Sequence, residues 1–90
     1  MKFELHILKK YIAEKFGVSV QNIGLFSSLK EDIGLDKEQV LLLIRYTERF
    51  FGIRLNPKVN LEKFEFMMDL IYSVQLKKYQ EGSLSALPIN

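Results

Sequence analysis

The chain has 90 residues, 48% hydrophobic and 27% charged, with a formal net charge of +2 and no cysteine. That length and balance fit one folded domain with a single modest core, burying somewhat over ~60% of the surface its unfolded form exposes. The lack of cysteine excludes disulfides, thiolate metal sites and a thiol nucleophile, and the lone histidine, His6, cannot form a histidine cluster.

The first predicted helix spans 2–16. Leu5, Leu8, Ile12 and Phe16 recur at three- and four-residue steps, with Ile7 and Tyr11 alongside. Gly17 stands where a helix commonly ends in a left-handed residue. The start, MKFELHILKK, interrupts its apolar stretch with Glu4 and His6 and lacks a small-residue cleavage site, so it does not read as a signal peptide. His6 reads as a helix-surface residue. Residues 18–28 show no helical period, yet Val20, Ile23, Leu25 and Phe26 are apolar, so this connection is expected to pack on the core. Ser28 and Glu31 fit a capping pattern for one short helical turn, which Gly34 breaks.

The second predicted helix begins at Asp36 and runs to Phe51, stopping at Gly52. Asp36 at N-cap with Gln39 three residues on forms a second capping pattern. At about 100° per residue, Val40, Leu43, Ile44, Thr47, Phe50 and Phe51 share one face, with Leu41 on its flank. Leu42, Arg45, Tyr46 and Arg49 point the other way. The longest apolar run, VLLLI over 40–44, is far short of the ~20 residues a membrane span needs, and a cytoplasmic protein is the default.

Residues 53–64 form a second irregular segment containing Asn56-Pro57, with a short helix expected over 60–64. The last helix is predicted over 65–80. Met67, Leu70, Ile71 and Val74 form its buried stripe, Met68 sits at its rim, and Gly82 ends it. The expected architecture is therefore all-α: one domain over 1–82 with three main helices plus one or two short ones, and a flexible C-terminal tail over 83–90.

This layout and one motif resemble the acyl and peptidyl carrier proteins, whose signature near the second helix is roughly L-x-E-D-L-G-x-D-S-L. Here the residues are Leu29, Lys30, Glu31, Asp32, Ile33, Gly34, Leu35, Asp36, Lys37 and Glu38. Phe16-Gly17-Val18 resembles the family's end of the first helix. Glu48, Phe51, Gly52, Ile53 and Leu55 match its E-x-x-F-G-I-x-I, and 67–74 its last helix. The likeness covers about 5–74. It implies an acyl-carrier-protein-like bundle, and 4′-phosphopantetheine carried on the Ser after the second Asp.

That position holds Lys37, whose amine cannot form the phosphodiester a hydroxyl forms. Ser27 and Ser28 lie before the acidic turn, and Ser28 already has a capping role. The expectation is thus no cofactor and no metal. The resemblance also implies an acidic second helix presented to basic partner enzymes. Here residues 36–52 hold three acids (Asp36, Glu38, Glu48) against three bases (Lys37, Arg45, Arg49), so the steering charge is absent.

Asp36 reads as a helix cap worth about 1 kcal/mol, or as a relic of metal-assisted modification. Lys37 reads as a solvated lysine, because Asp36 and Glu38 beside it favour its charged form, or as a modified amine, and is also a partner-binding candidate. Leu41, Leu42 and Tyr46 are candidates for a partner or self-association surface, including a homodimer through the second helix. Arg45, Arg49 and Arg54 are candidates for contacting an acidic partner or phosphate, or form a solvated face in which Arg45 and Arg49 pair with Glu48 or Glu38. The function expected is a non-enzymatic protein-interaction module tied to acyl, fatty-acid or secondary-metabolite chemistry. The alternatives are a true carrier modified at another residue and a small basic module binding nucleic acid. Basic residues scattered among acids argue against the latter.

Overall fold

The computed structural model describes the backbone of residues 2–86 and the side chains of 2–58 and 61–78. Its elements in chain order are α1 (Lys2–Phe16), α2 (Lys37–Phe51), the short α3 (Pro57–Asn60) and α4 (Met67–Ala86), with 3₁₀ turns at Val20–Asn22 and Leu61–Lys63. The fold is the all-α bundle that the apolar periodicities and the family resemblance imply. No helix among the described residues is long and apolar enough to cross a membrane.

Local signals account for both ends of α2. Asp36 accepts the Gln39 backbone N–H at 2.8 Å, and the Gln39 side chain accepts the Asp36 N–H at 2.9 Å, closing the capping box. At the other end Gly52 is left-handed (φ 66°) and the Ile53 N–H donates to the Glu48 carbonyl, a Schellman turn that buries Ile53 beneath it. The Glu48 carboxylate then accepts the Leu55 N–H at 2.8 Å, holding the outgoing chain against the helix it has just left.

The loops are core. Of the sixteen buried apolar residues described, seven lie outside the α-helices: Ile23, Leu29, Ile33, Leu35, Ile53, Leu55 and Phe64. They fill the spaces left by Leu8 and Ile12 of α1, Leu43 and Ile44 of α2, and Leu70, Ile71 and Val74 of α4. A chain this short needs such contributions, since three amphipathic stripes alone enclose little volume. The turn before α2 is built accordingly. Ser28 Oγ accepts the Glu31 N–H at 3.0 Å as expected, but Asp32, rather than Glu31, returns the bond by accepting the Ser28 N–H at 2.8 Å.

Several boundaries differ from the sequence reading. The short helix lies at Pro57–Asn60 followed by a 3₁₀ turn, not at 60–64, because Pro57 is preorganised for the first helical position and Asn56 takes the left-handed conformation before it (φ 50°). The last helix starts at Met67, not at 65. The Met67 and Met68 N–H groups donate to the Ser27 and Leu25 carbonyls, and Asp69 accepts from the Glu65 and Phe66 N–H groups, which keeps 65 and 66 extended. The helix also passes Gly82, the expected stop, and reaches Ala86, so 83–86 belong to it; 87–90 lie outside the described residues. A single glycine costs a helix interior only about 1 kcal/mol and need not end it.

Glu4, read as an interruption of the apolar stretch, is a buried carboxyl in the first turn of α1. Burial opposes its charge, but hydrogen bonds to the carboxylate, with a smaller contribution from nearby positive charge including Lys78 of α4, outweigh that and hold the carboxyl below its ordinary range.

Candidate functional site

The residues singled out by sequence lie on the first turn and outer face of α2. Asp36 and Lys37 are both exposed. The Asp36 carboxylate is engaged as the helix cap. Lys37, the first helical residue, lines a cleft of about 550 Å³ with Leu29, Leu35, Val40, Leu61 and Phe64 and the charged Lys30, Asp36, Glu62 and Glu65.

The serine and threonine hydroxyls among the described side chains all bond backbone groups. Ser27 Oγ accepts the Gly24 N–H at 2.8 Å and donates to the Asn22 carbonyl, while Ser28 caps the turn above. Thr47 and Ser73 donate back to the Leu43 and Asp69 carbonyls within their own helices. Ser19 caps the first 3₁₀ turn through a longer 3.4 Å bond, well before α2 in the chain.

On the outer face, Leu42 is 45% exposed, Arg45 and Arg49 are exposed, and Leu41 is half-buried on the flank. Two assignments are corrected. Phe50, placed on the buried face, is 47% exposed. Tyr46, placed outward, is half-buried, its ring stacked on Tyr11 of α1 at 3.8 Å with planes 12° apart. Tyr46 and Phe50, four residues apart, share one flank of α2 with ring centroids 5.8 Å apart; Tyr11 of α1 covers Tyr46 and not Phe50, and a helical wheel has no information about where along the helix its neighbour packs. Arg45 and Arg49 form no ion pair among the described residues, so the salt-bridged face expected with Glu48 or Glu38 does not form. Glu48 serves the Leu55 N–H instead. Lys58, which sequence reasoning missed, joins this face because α3 begins at Pro57; the signal for it was the Asn56-Pro57 pair.

The Tyr11–Tyr46 stack has a measurable consequence. Burial raises the Tyr11 hydroxyl above its ordinary value of 10.0 despite the opposing charge of Arg49, with Tyr46 adding to the rise. A raised folded-state value means the unfolded chain releases this proton first. The contribution to stability is complete below pH 10.0 and is lost as pH climbs through the raised value. Tyr11→Phe is therefore expected to flatten the alkaline fall in the urea midpoint, whereas equal alkaline slopes for both proteins would show that Tyr11 does not contribute.

No family model matches the sequence. A direct match does exist: the chain is 34% identical, over 68 residues, to a curated protein of Phytoplasma mali (strain AT) named Acyl carrier protein, covering 76% of this chain and 80% of the relative. At that identity and coverage, the chain belongs to the acyl carrier protein family.

Proposed function

We propose that this chain is a non-enzymatic carrier-protein-like domain that bears no phosphopantetheine and acts in the cytoplasm by binding a protein. The observation that carries this reading is the residue after the capping Asp36, which is Lys37. An amine there cannot form the phosphodiester of the prosthetic group. The serines that precede the acidic turn, Ser27 and Ser28, are held by backbone groups of their own loop. The residues at the family's attachment position therefore do not fit the group.

Two further observations support a non-enzymatic role. The described serine and threonine hydroxyls bond backbone groups rather than a general base. No group of three or more His, Cys, Asp and Glu residues gathers among the described residues as a metal site would require. The name of the Phytoplasma relative supports a link to acyl chemistry. It also favours one second reading, a true carrier modified at a residue other than Lys37.

Intact mass spectrometry separates the two readings. Protein purified from its own host is expected to show the mass of the unmodified chain, apart from processing of the N-terminal Met. An added phosphopantetheine mass would overturn the proposal in favour of the second reading.

A further inference from the structure

At the C-terminal end of α2 the outer face opens into a cleft of about 980 Å³. Arg45 and Arg49 contribute from α2, Arg54 from the turn that follows, and Lys58 from α3. None of these four cations forms an ion pair among the described residues. The single carboxylate lining the cleft, Glu48, is occupied by the Leu55 N–H. Four cations against one carboxylate give the cleft a local charge of +3, larger than the +2 of the whole chain.

The other end of α2 has the opposite sign. Glu31, Asp32, Asp36 and Glu38 are exposed there, against Lys30 and Lys37. From Lys37 to Arg49 the helix rises about 18 Å. Charges in physiological salt are screened over roughly 8 Å, so a partner at either end responds mainly to that end. The neutral total of residues 36–52 conceals a strongly basic cleft.

We infer that this cleft is the docking site for a short acidic amphipathic segment of a partner protein. The inference rests on the protein-interaction reading above and supplies the partner's chemistry. Charge and shape together select this occupant. The cations are spread over three elements and do not converge on one point, so they match a row of carboxylates better than one phosphate. Arg45 and Arg49, four residues apart, present a spacing that carboxylates at i and i+4 of a facing helix repeat. Leu42, 45% exposed, lines the cleft and offers an apolar contact that a purely ionic ligand leaves uncovered. A nucleic acid strand long enough to follow α2 runs into the carboxylates at its other end, whereas a segment confined to the cleft does not.

The probe is a fluorescent amphipathic peptide of about sixteen residues with glutamates at i, i+4 spacing and leucines on the adjoining face. Binding to the full-length chain is measured by anisotropy at low and high salt. The unsubstituted protein is expected to bind it, and high salt to weaken the binding. Arg45→Glu with Arg49→Glu is expected to weaken it at least tenfold, since like charges now oppose across the contact. Lys2→Glu with Lys10→Glu makes the same change in net charge on exposed residues of α1 outside the cleft and is expected to shift Kd less than twofold. A peptide with serine in place of leucine is expected to bind several-fold more weakly.

The exposed, unpaired positions of Arg45 and Arg49 leave the fold intact, which circular dichroism checks. Absence of peptide binding at low salt overturns the inference. So does equal weakening by the two double variants, which would mean that net charge alone is sensed. Tighter binding of a single-stranded oligonucleotide of equal charge, through Arg45 and Arg49, overturns it in favour of nucleic acid. These outcomes are independent of the intact-mass result, so failure here and failure of the unmodified-carrier reading are separately visible.

Discussion

Lys37→Ser is expected to remain a poor substrate for a phosphopantetheinyl transferase although it restores the missing hydroxyl. The turn that presents the hydroxyl survives, because Asp36 and Gln39 close their capping box through Asp36 and Gln39 atoms alone. A modifying enzyme must nevertheless dock on α2, and the family resemblance implies a basic docking surface on that enzyme. Here it meets Arg45 and Arg49, which no carboxylate neutralises by direct pairing among the described residues. Like charges across an interface cost up to several kcal/mol, and each ~1.4 kcal/mol slows capture about tenfold. Adding Leu42→Glu and Arg45→Glu to Lys37→Ser is expected to raise the rate of labelled phosphopantetheine transfer at least tenfold over the single variant. High salt should narrow that gap, because the repulsion acts between solvated charges. Efficient low-salt modification of Lys37→Ser alone would show that only the hydroxyl was missing and that the basic face of α2 is no barrier.

Ile44→Ala is expected to produce one of the two largest losses of stability on α2, alongside Leu43→Ala. Ile44 is 0% exposed, in the core cluster with Leu8 and Ile12 of α1 and Leu70 of α4. Truncating such a side chain removes its transfer free energy and leaves a cavity, at a cost of about 2–5 kcal/mol. A domain of this size has only about 5–14 kcal/mol of stability in total. The melting temperature should fall by roughly 10 °C or more, since each kcal/mol is worth about 4–8 °C in a domain of this length. Leu42→Ser, two residues away and 45% exposed, should change stability by no more than about 0.5 kcal/mol. Urea unfolding of both variants tests the pair. Equal losses would mean that the buried face of α2 is not the one holding Ile44.

The same contrast separates what was legible in the sequence from what was not. The span of α1, both ends of α2, the Asp36–Gln39 box and the left-handed Gly17 and Gly52 follow from residues within about four positions of each other. Short-range steric preferences and hydrogen bonds set them, so the chain's own order suffices. The carrier-protein resemblance and the replacement of its serine by Lys37 are likewise properties of the linear order.

Other features depended on neighbours distant in sequence. Met67 begins α4 because its N–H and that of Met68 reach carbonyls some forty residues earlier, at Ser27 and Leu25. Tyr46 is half-buried and Phe50 exposed because Tyr11 of α1 stacks on Tyr46, whereas Phe50, one turn further along the same flank, is not covered by it. The basic cleft exists only once Glu48 has been drawn to Leu55 and α3 has brought Lys58 beside Arg45, Arg49 and Arg54. The sequence alone determined which charges α2 carries; the tertiary structure decided which of them are neutralised, because pairing depends on distance through space and not along the chain.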